Sequence, residues 1–205
     1  PAKRPVQPQP GWDAVGVTLW GRAWLDHVIR LCQARYASEL AFGEKLLRNG
    51  RLQSCRVRRA HAQATFTNLA GGVTLVNVNV RPLAPERWAR INQASERCGD
   101  ALFSSDDLPD GVAAALFAPP DGLLPERADL MFTCSHCRTP FCLYRAATLL
   151  SMAAEFDRAP VKLFEMRGAS GDALFQRAAQ QDQGDADLLD ETGLSELFGI
   201  EWEKA

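Results

Sequence analysis

Nowhere in the 205 residues does an apolar run approach the length of about 18 that a membrane-crossing helix requires. A membrane-spanning helix is therefore excluded. Pro1–Pro10 carries four prolines and no apolar stretch, so it is not read as a secretory signal. Position 1 is proline rather than an initiator Met, which leads to an expectation of processing or trimming. Catalytic signatures are missing as well. There is no Gly-x-x-x-x-Gly-Lys-Ser/Thr loop, no Gly-x-Gly-x-x-Gly, no Gly-x-Ser-x-Gly elbow and no His-Glu-x-x-His. The segment from Gly111 to Gly122 offers no phosphate cradle, and Asp106-Asp107 stands at a helix entry, where N-capping accounts for it. No internal repeat of solenoid length is present. The expectation is a non-enzyme.

What the chain does have is an ordinary globular balance, 46% apolar and 23% charged, enough for one buried core. Its net charge of −2 hides a polarity. Residues 1–100 hold 15 Lys and Arg against 7 Asp and Glu, whereas residues 101–205 hold 8 against 18. A basic face for polyanions and an acidic arm for basic partners would produce this split, and so would solvated charge with no partner. Six cysteines stand at 32, 55, 98, 134, 137 and 142. With no signal peptide read and a chain longer than a typical disulfide scaffold, the expectation is a cytoplasmic protein with reduced thiols.

Residues 1–12 read as an extended entry segment. Trp20, Ala23, Trp24, Val28, Leu31 and Cys32 recur at helical spacing within Leu19–Glu39, and a second helix follows over Leu40–Leu47, stopped by Asn49-Gly50. The tryptophans at 20, 24 and 88 could stack on bases, but their helical spacing places them in the core. His27 and His61 are lone imidazoles, read as packing residues. Three alternating runs, Leu52–Arg59, His61–Thr67 and Val73–Val80, predict an antiparallel meander with one wet face. Helices are predicted over Pro85–Phe103, Asp106–Phe117 and Cys142–Phe156. Leu130–Thr133 reads as a short strand or extended entry, and Val161–Arg167 as a short apolar segment. The fold class is thus α+β: a small antiparallel sheet of about three strands, flanked by helices, with a zinc-finger-like knuckle leading into a helix. Residues 13–168 form this domain, and 169–205 an acidic tail with an amphipathic helix near Asp187–Trp202.

Residues 134–145 read Cys-Ser-His-Cys-Arg-Thr-Pro-Phe-Cys-Leu-Tyr-Arg. Three thiols and an imidazole in nine residues are the donors of a zinc site. Because His136 and Cys137 are neighbours, their side chains normally diverge, and both reach one ion only in a contorted loop.

The chain resembles bacterial SWIM zinc-finger proteins over most of residues 19–168. The resemblance is carried by Leu19-Trp20-Gly21-Arg22-Ala23-Trp24, the block Leu46–Leu52, the block Arg81–Trp88, the block Ala154–Pro160, Leu163-Phe164 and Arg167-Gly168. That family's motif is Cys-x-Cys, a short loop, then Cys-x-His at a helix start. Here Cys134 and Cys142 match the first and third ligands. His136, beside Cys137, stands at the second, and Tyr144 occupies the fourth; phenol, with a pKa of about 10, is a poor zinc ligand. The resemblance implies zinc held by Cys134, Cys142 and one or both of His136 and Cys137, or else a decayed finger kept in shape by packing. A Cys–His nucleophile lacks an orienting third group. The resemblance further implies an accessory subunit of a nucleic-acid-processing complex, similar to proteins associated with SWI/SNF-type helicases. Its partners would be DNA or RNA and a larger protein such as a helicase-type ATPase, with no membrane involved.

Independently of the resemblance, Arg48, Arg51, Arg56, Arg58 and Arg59 cluster around the first turn and strand, with Arg138 and Arg145 near the cysteines. The planar guanidinium fork suits phosphate, so these seven are the candidate nucleic-acid contacts. A charge-protected edge strand is the alternative, and a purely structural protein–protein subunit with a decayed finger is the competing function.

Overall fold

A computed structural model describes residues 15–32, 35–96, 98, 101–104 and 108–169. The N-terminal segment 1–12 and the acidic tail with its predicted helix lie outside the described residues. No helix among the described residues is long and apolar enough to cross a membrane.

Alternation of small apolar and polar residues builds the sheet. Strands β1 (Leu52–Arg58), β2 (His61–Thr67) and β3 (Val73–Val80) form the expected meander, and β4 (Leu130–Cys134) adds a fourth. All pairs are antiparallel in the order β1-β2-β3-β4. Val57, Ala62, Ala64, Phe66, Val76, Val78 and Val80 turn inward and are buried. Strict period 2 would put Leu52 on the same face as Arg56. A bulge between Leu52 and Ser54 resets the parity, so Leu52 is buried opposite Phe66 while Arg56 faces out opposite Gln63.

The inner face rests on helix α6 (Leu143–Arg158), which is buried at twelve of its sixteen residues. A helix apolar or small nearly all round must be covered on all sides. The sheet covers one side of α6, while α1 (Leu19–Cys32) and α2 (Ala37–Arg48) cover another. Gly43 permits the α2 crossing, since a Cβ there would stand 2.7 Å from the Ala147 amide nitrogen. Trp20 and Trp24 are buried as their spacing predicts; Trp24 Nε1 donates to the Leu149 carbonyl at 2.7 Å. Trp88 stacks on Phe164 at 6.3 Å.

Boundaries differ from the periodicity in three places. The first helix ends at Cys32, whose carbonyl accepts the Tyr36 N–H at 2.8 Å, so α2 begins at Ala37. The expected helix from Pro85 divides into α3 (Pro85–Glu96) and a single turn, α4 (Ala101–Ser104). Helix α5 (Asp110–Phe117) starts later than expected because Pro109 holds the N-cap position and its carbonyl accepts from Val112 and Ala113. The apolar segment after Pro160 is a short helix, α7 (Val161–Met166).

A buried ion pair ties the end of α7 to the sheet. Arg167, 1% exposed, donates to Asp129 Oδ2 at 3.2 Å and to the Arg81 carbonyl at 2.8 Å. Asp129 lies in a 3-10 turn that leads directly into β4. The pair therefore fixes the strand that delivers Cys134.

Candidate metal knuckle and basic sheet face

The thiols converge because two regular elements aim them. Strand β4 ends at Cys134, and Cys142 is the N-cap residue of α6. Ser135 prolongs the pairing with β3, its N–H donating to the Leu75 carbonyl while its Oγ accepts the Leu75 N–H, both at 2.9 Å. The loop between is folded back by side chains. Arg145 donates to the Thr139 carbonyl, and Thr139 Oγ1 donates to the Phe141 carbonyl at 3.1 Å. Phe141 packs on Phe132 and Tyr36, with centroids at 5.8 and 4.6 Å.

Cys134, Cys137 and Cys142 place their sulfurs within 4.8 Å of one another, and the Cys134 and Cys142 sulfurs are 4.0 Å apart. A tetrahedral zinc site with metal–sulfur legs of about 2.3 Å has edges of about 3.8 Å. The Cys134–Cys142 edge is thus close to that length, and no sulfur separation exceeds it by more than about 1 Å. His136 is not among the converging donors: its ring packs edge-on to Tyr144 at 4.9 Å. Tyr144, 1% exposed, also packs on Phe66 at 5.6 Å. The position at which the resemblance expects the fourth ligand is thus a core residue. Of the two adjacent candidates, the loop brings Cys137 to the cluster.

The electrostatics of this cluster are set by burial and by the closeness of the sulfurs. Burial pushes the Cys142 thiol up to about 12, and the neighbouring Cys137 and Cys134 add to the rise. At Cys137 burial also opposes ionisation, but hydrogen bonds from Thr139, Cys142 and Cys134 outweigh it and lower the pKa. The thiolate is favoured at Cys137 and disfavoured at Cys142. A divalent ion among them would favour the thiolate at both by supplying the largest local charge. Outside the cluster, burial raises Cys32 to about 11 and Cys55 to about 12, as expected of inert thiols.

The arginines separate into groups. Arg56 and Arg58 project from the outer sheet face, exposed, with no hydrogen bond or ion pair among the described residues. Arg59 sits in the turn after β1, exposed, its Nε donating to the Gly168 carbonyl at 3.1 Å. Arg51 is half-buried and donates to the Asn68 carbonyl at 3.4 Å, and Arg48 pairs with Glu44 on the surface of α2. Arg138 is exposed on the knuckle loop, whereas Arg145 is buried beneath it and serves loop closure.

Two features of this face were not drawn from the residues alone. From Lys45 to Pro85, and again from Leu130 to Ala154, there is not one Asp or Glu, so all four strands lie in carboxylate-free sequence. That signal was present in the sequence. The second is a row of paired side chains crossing the outer face: Arg56, Gln63, Asn77 and Thr133. Gln63 donates to Asn77 Oδ1 at 2.9 Å, and Asn77 donates to Thr133 Oγ1 at 3.3 Å. The row needs the strand register, which alternation does not supply.

Comparison with known proteins brings no relative to the interpretation: no family model, no curated protein and no solved structure matches the chain.

Proposed function

We propose that the protein is a non-catalytic nucleic-acid-binding subunit of a larger complex, which takes the nucleic-acid backbone on its outer sheet face. The observation that carries this reading is the pair of guanidinium groups, Arg56 and Arg58, without a partner among the described residues, on a four-stranded face whose strands contain no carboxylate. Arginines committed to structure would have partners, as Arg167 does. Phosphate recognition needs the opposite, cations with free forks on a surface that does not repel anions.

The knuckle belongs to the same reading. Zinc held by Cys134, Cys137 and Cys142 would pin the start of α6 to the end of β4 and so keep Arg138 beside the sheet. When bound, the ion supplies a structural cross-link rather than chemistry. The blocks that resemble SWIM proteins support a role beside a helicase-type ATPase.

Photo-cross-linking to an oligonucleotide carrying 5-iodouracil, followed by peptide mapping, tests the assignment. Adducts on peptides spanning β1–β3 are expected. Adducts confined to other peptides, or none, would remove the sheet face from the account.

A further inference from the structure

We infer that the β2–β3 hairpin is a wedge that inserts Leu69 against the last base pair where a nucleic-acid duplex opens into single strands; this rests on the nucleic-acid reading above. Leu69 is 78% exposed and Val73, four residues on, is 64% exposed. Isolated exposed leucines are common and mean nothing. Here, however, the tip that carries Leu69 is held in one shape. Asn68 Oδ1 accepts the N–H groups of Ala70 and Gly72 at 3.0 and 2.9 Å, and the Asn68 N–H donates to the Gly72 carbonyl at 2.8 Å. Gly71 takes the positive φ of 84° that closes the turn. Arg51, the residue before β1, holds the tip through the Asn68 carbonyl.

Such tips are ordinarily polar, since water is their only neighbour. A rigid tip that displays Leu69 instead has the form of the apolar wedges by which proteins unstack base steps. The charge argument selects nucleic acid over an apolar protein groove. Between Lys45 and Pro85 the sequence holds basic side chains and no Asp or Glu, and Arg56 and Arg58 on the same sheet make no hydrogen bond or ion pair among the described residues. Arg58 stands opposite His61, at the end of β2 away from the tip, so a strand that runs the length of β2 from these arginines reaches Leu69 at the hairpin end.

The test uses the full chain and a forked DNA oligonucleotide with 2-aminopurine at the first paired position. Its fluorescence rises when the base unstacks. The wild type is expected to raise it. Leu69→Ser should abolish the rise and weaken fork binding about tenfold, while leaving binding to an unpaired strand within about twofold. Thermal melting controls for folding, and the exposed site predicts no change. A rise retained in Leu69→Ser, or no rise from a wild type that binds both oligonucleotides, overturns the wedge while sparing the nucleic-acid reading. Failure to bind either oligonucleotide overturns both. Leu69-dependent binding to phosphatidylserine vesicles in place of the fork would reassign the tip to a lipid surface and overturn the proposal.

Discussion

Gly21 and Asp157, at opposite ends of the domain in sequence, are in contact: a Cβ on Gly21 would lie 2.1 Å from Asp157 Oδ1. The same carboxylate caps α1 from outside that helix. Its Oδ1 accepts from the Thr18 N–H and hydroxyl at 2.9 and 2.8 Å, and its Oδ2 from the Gly16 N–H at 2.6 Å. The sequence blocks Leu19–Trp24 and Ala154–Pro160 are thus two halves of one junction.

That junction makes a prediction about coupling. Gly21→Ala forces the carboxylate away and should destabilise the protein by about 1–3 kcal/mol in denaturant unfolding. Asp157→Ala removes the cap and should cost about 0.5–2 kcal/mol. The double variant should lose less than the sum, because the alanine at 21 no longer meets a carboxylate. Additive losses would show that the contact is not the source of the Gly21→Ala effect.

His27 predicts a pH dependence. It is buried, and Nε2, 2.7 Å from the Pro125 carbonyl oxygen, carries a proton that it donates there. Burial lowers its pKa; the Pro125 bond partly offsets this, and the charges of Arg30 and Arg167 lower it further. The unfolded chain, with a His pKa of about 6.5, binds more protons than the folded one as pH falls. Stability contributed by neutral His27 is therefore present above about pH 6.5 and is lost as pH drops through and below it. Thermal midpoints measured from pH 8 to pH 5 should fall more steeply for the wild type than for His27→Gln. Parallel curves would contradict the assignment.

The knuckle geometry separates its candidate ligands. Cys134→Ser, Cys137→Ser and Cys142→Ser should each abolish one zinc per chain in elemental analysis of fresh protein. His136→Ala should retain it, because that ring rests on Tyr144 instead of among the sulfurs. Zinc lost in His136→Ala and kept in Cys137→Ser would assign the second ligand to the other neighbour. A folded wild type without zinc would be a decayed finger.

Much of this architecture was legible because its period is short. Val76, Val78 and Val80 alternating with Asn77 and Asn79 define a half-buried strand wherever it lies, and the tryptophan spacing of α1 defines a buried stripe. What escaped depends on distant partners. Alternation in β1 placed Leu52 with Arg56, and only the pairing with β2 reveals the bulge that parts them. The fourth strand, five residues long, is fixed by β3 beside it and by the Asp129–Arg167 pair before it. In the knuckle, adjacency stated that His136 and Cys137 must diverge without saying which one turns in. The answer lies in Tyr144 and Phe66, which give the imidazole a ring to pack on.

The most direct test of the central claim is the salt dependence of binding to a fluorescein-labelled oligonucleotide, followed by anisotropy, for the wild type and for Arg56→Gln/Arg58→Gln/Arg59→Gln. Each phosphate neutralised contributes about 0.7–0.9 to the slope of log K against log salt. The account predicts a steep slope for the wild type, with weaker binding and a slope shallower by about 2 in the triple variant. Identical slopes and affinities, or no binding by the zinc-loaded wild type at low salt, would contradict it and leave a subunit held by protein contacts alone.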